Sequence, residues 1–313
     1  MNAELNAYFG FDYSHKNKFI IEDPAFNDFI EFLFNSDFKL GKIEEGITYE
    51  KLSRYNVFII GVPIAEAFLQ SNEINDLVKY VKDGGSLLII NEKGGDKANK
   101  SNLSELSSNF GIKFNSDQLF DNEHFSKDNS RPIIKNFKKH FLTRDITQIV
   151  HSGGCSLEII ENIEDEDLDV TAVAFSSEDS AWHKIFSEGQ WFDEPVKKVA
   201  IIAAARYGLG KVVAIGNLSL FSSFHEIYGI YAADNFKLIV NIISWLMNKA
   251  HSEEAQLTQP IYTTIPLEQD LYYWIREKLD EGRWKTIQEV INFALKVIKF
   301  RMKQQLREGE NVD

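Results

Sequence analysis

The sequence reads NVFIIGVP at residues 56–63 and SLLII at residues 86–90, two apolar runs that fix the class of fold. A continuous apolar run of this length is typical of a strand buried on both faces of a sheet. Between the runs, residues 73–83 carry apolar side chains at helical spacing and end at two glycines. Strand, helix and strand in this order predict a right-handed parallel crossover, and therefore an α/β fold.

Further segments extend this unit toward both ends of the chain. Apolar runs and turn residues predict more strands at residues 7–11, 38–42, 146–150, 156–160, 171–175, 199–205 and 211–215. Helical patterns predict further helices that start at Asp23 and Pro24 or span residues 102–110 and 234–247. Two segments are polar and irregular, so we expect a loop at residues 94–99 and a surface excursion at residues 117–139.

These segments resemble the amidotransferase-like α/β domains found in a eukaryotic intraflagellar-transport core protein, in gliding-motility ABC-transporter auxiliary proteins and in archaeal proteins. The matching pieces are residues 11–17, 52–63, 80–90, 102–112, 210–216 and 234–246. The resemblance covers most of residues 7–248. It implies a flavodoxin-like, mostly parallel sheet with helices on both faces, in relatives used mostly for binding or scaffolding. We therefore assign residues 1–249 to a non-catalytic domain of this class.

The catalytic cysteine of a class I amidotransferase stands on a sharp turn between a strand and a helix. Here the corresponding strand is followed by Asn91, Glu92, Lys93 and Gly94, with no nucleophile. The single cysteine, Cys155, lies elsewhere and follows His151 by four residues. A thiol hydrolase built on that pair is one interpretation, and an ordinary cysteine that lies near a histidine is the other. We predict no catalytic residue and no enzyme activity.

Polar residues follow several predicted strands, where ligands bind in open α/β sheets. The candidate ligand-binding residues are Asp12, His15, Glu92, Gly94, Gly95, Asp96 and Asn217. They would hold a metal ion or a polar sugar or nucleotide; alternatively, they cap loops or are solvated. No Gly-Lys-Ser/Thr follows Gly94, so the loop is no phosphate loop, and the other histidines lack metal-ligand spacing. The sequence predicts no cofactor and no assigned metal site.

An aromatic segment lies in the second half of the predicted domain. Trp182, His183, Trp191 and Phe192 stand among polar residues. They predict either an exposed interaction patch or aromatic side chains buried against the main sheet.

Composition restricts the compartment and the partners. The chain has 313 residues, a formal net charge of −13 and one cysteine. The acidic balance argues against a main domain that wraps nucleic acid, and a single cysteine permits no intrachain disulfide. No apolar run approaches the roughly 18 residues that a membrane span needs. We expect a soluble cytoplasmic protein with no membrane partner.

The last part of the chain predicts a separate small module. Residues 250–260 read as a polar linker, residues 261–267 alternate as a strand, and two helical patterns follow, separated by Gly282. The segment at 261–303 resembles the ribbon-helix-helix family, in which two chains pair their strands and enclose one core. Residues 304–313 form a polar tail. The pairing residues implied by the resemblance are Ile265, Leu267, Ile287, Val290, Ile291 and Leu295.

In that family the paired strands enter the major groove of DNA. The resemblance implies DNA contacts by Tyr262, Thr264, Arg283, Lys285 and Thr286. The module carries eight basic and six acidic residues, a net charge of only +2, which predicts weak binding. Our main prediction is a homodimeric transcription regulator that binds duplex DNA and holds a ligand or a protein partner on its α/β domain. The alternative is a scaffold protein in which the module only joins two subunits.

Overall fold

The computed structural model describes residues 8–161, 163, 165–195, 198–225, 227–247 and 269–280, together with four helical residues, 287, 290, 291 and 294. Ten strands within these described residues form the central sheet. They are β1 (Tyr8–Asp12), β2 (Lys39–Ile43), β3 (Val57–Gly61), β4 (Ser86–Ile90), β5 (Ile112–Phe114), β8 (Asn136–Phe137), β10 (Leu157–Ile159), β11 (Leu168–Phe175), β14 (Ala200–Tyr207) and β15 (Gly210–Ile215).

The remaining described strands form two smaller sheets. One has the order β13 (Gln190–Pro195), β12 (Ala181–Ser187) and β6 (Asp117–Asp121), and the other pairs β7 (Ile133–Ile134) with β9 (Ile149–Val150). The described helices are α1 (Asn27–Asn35), α2 (Tyr49–Leu52), α3 (Ser71–Lys82), α4 (Gly95–Asn99), α5 (Leu103–Ser108), α6 (Asn235–Met247) and α7 (Gln269–Asp280).

The central sheet changes character at the hairpin between β14 and β15. Its main order is β2-β1-β3-β4-β15-β14-β10-β5. The five strands from β2 to β15 pair in parallel, whereas the pairs from β15 onward are antiparallel. The predicted unit of β3, α3 and β4 is confirmed, with Val57 opposite Ser86 and Gly61 opposite Ile90. The structure is therefore an α/β fold built on a parallel half-sheet.

Both faces of this half-sheet are covered by helices, as the continuous apolar runs require. Val57 and Ile59 of β3 belong to one hydrophobic cluster, which includes side chains of α1 and α6. The alternate residues Phe58 and Ile60 belong to a second cluster, which includes side chains of α3 and α5. Successive strand residues thus point to opposite faces, and the helix layers on both faces confirm the predicted arrangement.

Two expectations about polar segments are wrong. Residues 94–99 are mostly helix, because α4 begins at Gly95. The expected surface excursion at 117–139 begins with β6, whose Asp117 and Asp121 are buried. Both carboxylates accept hydrogen bonds there, so burial does not leave them unpaired. The polar composition concealed the helix at 95–99 and the buried strand at 117–121, whereas residues 122–130 are exposed or partly exposed, as expected for an excursion.

The C-terminal module is described only in part. The helix α7 agrees with the first predicted helix, and residues 287, 290, 291 and 294 are helical. The predicted strand at 261–267 and Leu295 lie outside the described residues, as do all five predicted DNA contacts. The ribbon-helix-helix arrangement and the domain boundaries therefore stay predictions. None of the helices in the described part of the chain is long and apolar enough to span a membrane.

Candidate functional site

Polar side chains collect at the carboxyl ends of the parallel strands, where the sequence predicted a ligand site. β1 ends at Asp12, and the loop after it brings His15 back to that carboxylate. His15 Nδ1 lies 2.9 Å from Asp12 Oδ2, and its Nε2 lies 3.1 Å from Glu73 Oε2 in the first turn of α3. The three residues are at most 5% exposed. The structure therefore brings Asp12 and His15 together and adds Glu73, which the sequence did not indicate.

Other hydrogen bonds hold this group in place. Asn17 donates from Nδ2 to Asp12 Oδ2 at 2.7 Å and accepts from the Gly61 N–H at 3.1 Å. Glu73 accepts from the Ile47 N–H at 2.8 Å and from the Gln70 N–H at 2.8 Å. Asp12, His15, Asn17 and Glu73 form what we call the strand-end cluster, which ties β1, β3 and α3 together.

The charges of the strand-end cluster follow from its geometry. Burial opposes a charged imidazole, but the hydrogen bonds and charges of Asp12 and Glu73 outweigh it and raise the pKa of His15. Burial also opposes ionisation of Glu73, yet the N–H donors and His15 outweigh it and lower the pKa of that carboxyl. Ionised carboxylates only accept, so a ring that serves both of them donates from both nitrogens. The geometry therefore favours the imidazolium form of His15 between the two carboxyl groups.

This arrangement opposes the metal-site interpretation. A histidine ligand offers a nitrogen lone pair to a metal, and both nitrogens of His15 face carboxylates instead. Among the described residues, no group of three or more His, Cys, Asp or Glu side chains has the geometry of a metal site.

The other predicted ligand residues lie in separate hydrogen-bond groups. Glu92 forms an ion pair with Lys18, whose Nζ also lies 3.1 Å from Asn99 Oδ1. Asp96 accepts from the Leu103 and Ser104 N–H groups at 3.0 and 2.7 Å, and it thereby caps the first turn of α5. This capping role of Asp96 differs from both interpretations made from the sequence, a ligand-binding residue and a solvated side chain.

Asn217 stands apart from the strand-end cluster. It is buried, and its Oδ1 accepts from Ser219 Oγ at 2.7 Å. None of the hydrogen bonds found within the described residues connects Asn217 with Asp12, His15 or Glu92.

Gly94 and Gly95 mark a close approach between two sheets. A Cβ on Gly94 would lie 3.3 Å from Trp191 Cη2, and a Cβ on Gly95 would lie 2.4 Å from the Asn115 carbonyl oxygen. Their φ angles are +81° and +50°, in the left-handed region that favours glycine. Trp191 of β13 therefore lies over the loop that follows β4. Part of the predicted ligand site is covered by the aromatic segment.

His151 and Cys155 lie in the interior and have the properties of an ordinary pair. Cys155 is 0% exposed, and burial raises the pKa of its thiol well above the usual range. Burial lowers the pKa of His151 to about 4, and its Nε2 has no hydrogen-bond partner among the described residues. A reactive cysteine needs access and a stabilised thiolate, and this environment favours neither.

Asp117 is the centre of a second buried group, which the sequence analysis missed. Its carboxylate accepts from the Ser156 N–H at 2.7 Å and from Ser156 Oγ at 2.6 Å, and it lies 2.8 Å from His183 Nδ1. Its carbonyl accepts from the Gly94 N–H at 2.7 Å. Asp117 therefore fastens the sheet of β6, β12 and β13 to the loop after β4. No local spacing in the sequence signals these contacts.

The aromatic segment is the hairpin of β12 and β13, and it reaches the surface. Trp191 is 38% exposed and Phe192 is 51% exposed. Trp182 stacks on Phe120 of β6 with ring centroids 4.3 Å apart. The structure therefore supports the exposed-patch interpretation for β13, while Trp182 is partly covered.

Comparison with known proteins identifies relatives of the α/β domain. The family model described as the IFT52 GIFT domain matches residues 11–257. The Intraflagellar transport protein 52 homolog of Mus musculus is 22% identical over 263 residues, which cover 79% of this chain and 58% of that protein. The chain thus spans little more than half the length of this curated relative.

One solved structure supports the same fold. The mmIFT52 N-terminal domain superposes with a TM-score of 0.62 at 19% identity, covering 78% of this chain and 99% of that one. A cytoplasmic protein of Salmonella typhimurium gives a TM-score of 0.49 at 15% identity, covering 77% of this chain and 98% of that one.

These findings correct the main functional prediction. The matched family and the mouse relative are named for intraflagellar transport, so the prediction of a homodimeric transcription regulator with duplex DNA as its partner is wrong. The charge of the chain already opposed DNA binding. The net charge is only +2 at residues 261–303 and −13 for the whole chain, whereas DNA affinity depends on positive charges that neutralise phosphates. The scaffold alternative agrees better with the comparisons. Because the family model matches 247 of the 313 residues, from 11 to 257, the chain belongs to the IFT52 GIFT domain family.

Proposed function

We propose that this chain is a non-catalytic scaffold protein whose α/β domain binds another protein of a larger assembly. The observation that carries the proposal is that the polar groups of the strand-end cluster are bonded to one another. Both nitrogens of His15 and the facing oxygens of Asp12 and Glu73 are used in hydrogen bonds within the domain. Polar groups engaged in this way stabilise the fold and leave little free chemistry for a substrate.

The thiol also argues against catalysis. Cys155 has no exposed surface, and the raised pKa of its thiol works against formation of a nucleophilic thiolate. The candidate ligand residues do not form one group, since His15, Asp96 and Asn217 each have separate partners. A small ligand against Glu92, Gly94 and Gly95 stays a secondary proposal.

The relative's name supports a role in an assembly. The mouse protein is named for intraflagellar transport, and this chain covers 58% of its length. We extend from that name only the class of function, a structural subunit among other proteins. Aromatic side chains are enriched in protein–protein interfaces, and the α/β domain exposes two of them at β13.

The C-terminal segment fits a subunit-joining role. In α7, Leu271 is 44% exposed and Trp274 is 50% exposed, which leaves apolar surface to be covered. We keep the scaffold alternative for this segment, in which Ile265, Leu267, Ile287, Val290, Ile291 and Leu295 join two subunits without DNA. Val290 is already buried and Ile291 is partly buried in the described part of the segment.

Native mass spectrometry of the full chain, isolated from its own cells, tests the proposal. We expect a complex of fixed stoichiometry that contains a second kind of polypeptide. A mass made up of this chain alone would contradict the scaffold function. Replacing Ile291 with Asp should release a subunit, because it places a charge on an apolar contact. Lys296→Asp, on the opposite side of the predicted helix, is the matched control and should leave the mass unchanged.

A further inference from the structure

The strand β13 has one edge without a partner strand in the described part of the chain. Its sheet has the order β13-β12-β6, and β12 pairs with it from Ser187↔Gln190 to Trp182↔Pro195. Glu188 and Gly189 form the connecting turn, both with positive φ, as in a two-residue type I′ hairpin. The outer edge of β13 is therefore a candidate for pairing with another chain.

The hairpin geometry shows which backbone groups point outward. The residues that flank a two-residue turn form a hydrogen-bonded pair, and such pairs alternate along an antiparallel ladder. Phe186, the next residue of β12, donates its N–H to Ser116 on the other side, as this alternation requires. Gln190, Phe192 and Glu194 therefore bond to β12. Trp191 and Asp193 direct their N–H and C=O groups away from the sheet.

Two edge strands of the central sheet carry lysines, which β13 lacks. β2, at one edge of the central sheet, carries Lys39 and Lys42, and the short edge strand β5 carries Lys113. Lysines on an edge strand discourage pairing with other chains. β13 has six residues, no lysine and a continuous register, and its proline stands only at the last position. The edge of β13 therefore lacks the lysines that discourage pairing at these two edges of the central sheet.

The side chains of β13 offer aromatic surface on both faces of the edge. Trp191 packs on Phe186 with centroids 5.1 Å apart and lies against Gly94, so its ring is held in place. Phe192 points to the opposite face and is 51% exposed. An added strand would bury both rings beside its own side chains, which is the usual source of stability in cross-strand pairs.

The charge of the hairpin selects the occupant. Residues 181–195 contain Glu188, Asp193 and Glu194 but only one lysine, Lys184, whose Nζ lies 3.5 Å from Asp193 Oδ1. One positive charge against three negative charges leaves a net charge of −2. Two copies of β13 paired with each other would crowd four carboxylates into one short ladder, which is unfavourable. A different chain with basic residues fits this edge better than a second copy.

We propose that β13 is the docking strand for an extended, lysine- or arginine-bearing segment of a partner protein, which adds as a fourth strand to the sheet of β6, β12 and β13. Main-chain hydrogen bonds to Trp191 and Asp193 supply affinity, and Asp193 and Glu194 select basic side chains. The inference rests on the proposed scaffold function and names the surface that serves it.

Fluorescence polarisation with the full chain tests the proposal. The probe is a labelled ten-residue peptide in which lysine alternates with valine, and the comparison peptide carries glutamate in place of lysine. We expect the basic peptide to bind with a Kd below about 1 mM and at least about tenfold more tightly than the acidic one. A third peptide, N-methylated at alternate residues, cannot donate along one edge and should lose at least about tenfold in affinity.

The double variant Asp193→Lys, Glu194→Lys should reverse the preference between the basic and acidic peptides. Its matched control is the double variant Glu44→Lys, Glu50→Lys. Both residues are exposed and lie after β2, an edge strand of the central sheet, which β13 does not belong to. Equal binding of the two peptides, no effect of N-methylation, or no binding at all would overturn the proposal. So would a wild-type dimer that the double variant dissociates, because the occupant would then be a second copy. A native complex without peptide binding refutes the docking strand alone, whereas peptide binding without a native partner refutes the scaffold function alone.

Discussion

The Nε2 atom of His15 lies 3.1 Å from Oε2 of Glu73, although 58 residues separate them in sequence. The contact joins the loop after β1 to the first turn of α3, and Asp12 completes it from the end of β1. The carboxyl ends of β1 and β3 are thus held by a charged group in a place where many α/β proteins bind ligands. Removing this charged group should therefore lower the free energy of unfolding.

Replacing His15 with Leu leaves the Asp12 and Glu73 carboxylates buried without their shared cation. Breaking a buried ion pair by removal of one partner costs about 3–5 kcal/mol, and we expect a loss in this range. Urea unfolding at neutral pH measures it. His124→Leu is the control, because the His124 side chain is 44% exposed, and its unfolding free energy should change by less than about 0.5 kcal/mol. Equal effects of the two changes would show that the strand-end cluster does not stabilise the fold.

The pH dependence of stability should carry the signature of His15. Its folded pKa is raised above the ordinary value of 6.5, so the folded state holds the proton more tightly than the unfolded state. The resulting stabilisation is fully present below pH 6.5 and is lost as the pH rises through the folded pKa. The gap in unfolding free energy between the wild type and His15→Gln should therefore narrow as the pH rises. A gap that stays constant or widens would contradict a charged imidazole.

His151 should act in the opposite direction. Burial lowers its pKa from 6.5 to about 4, so the unfolded state binds the proton more tightly between these values. Stability is then complete above pH 6.5 and falls toward pH 4, by roughly 3 kcal/mol from this group. His151→Leu should remove that part of the acid-induced loss, while the exposed His225→Asn control should retain it. Parallel stability curves for the wild type and His151→Leu would refute the assignment.

The sequence was sufficient for the parallel half of the fold because burial there is apolar and continuous. Residues 57–61 and 86–90 are buried throughout, so their composition reports their position directly. β6 escaped prediction because its interior positions include Asp117 and Asp121, which are buried through hydrogen bonds with distant partners. A polar residue satisfied in this way looks like a loop residue in the sequence.

The candidate site was predictable only where its contacts are local. Asp12 and His15 are three residues apart after one strand, and the structure joins them. Glu73 comes from another helix, and the only local signal is its N-terminal position, where it accepts from the Gln70 N–H. Asp96 caps a helix that begins at Leu103, seven residues later, which no short motif describes. Long-range pairing of charges therefore needed the three-dimensional structure.

Asp117 should control how firmly the aromatic hairpin is attached to the domain. Its carboxylate accepts hydrogen bonds from the N–H and Oγ of Ser156 at 2.7 and 2.6 Å and lies 2.8 Å from His183 Nδ1. Its backbone carbonyl accepts a hydrogen bond from the Gly94 N–H. Asp117→Asn replaces one carboxylate oxygen with an NH₂ group. That group would face Ser156 or His183, which hydrogen-bond to the carboxylate in the wild type. Hydrogen bonds to charged groups contribute about 1.5–3 kcal/mol, and we expect a destabilisation of that order.

Hydrogen exchange followed by mass spectrometry locates the effect of Asp117→Asn. Amides of residues 181–195 should exchange faster, while those of β3 and β4 should keep their protection, because the variant loosens a small sheet that the central core does not depend on. Asp169→Asn, an exposed change on β11, should leave both regions as they are. If exchange rises equally across the central sheet and the hairpin, then Asp117 supports the whole domain. The docking strand β13 would in that case be held against the loop after β4 by the packing of Trp191 on Gly94.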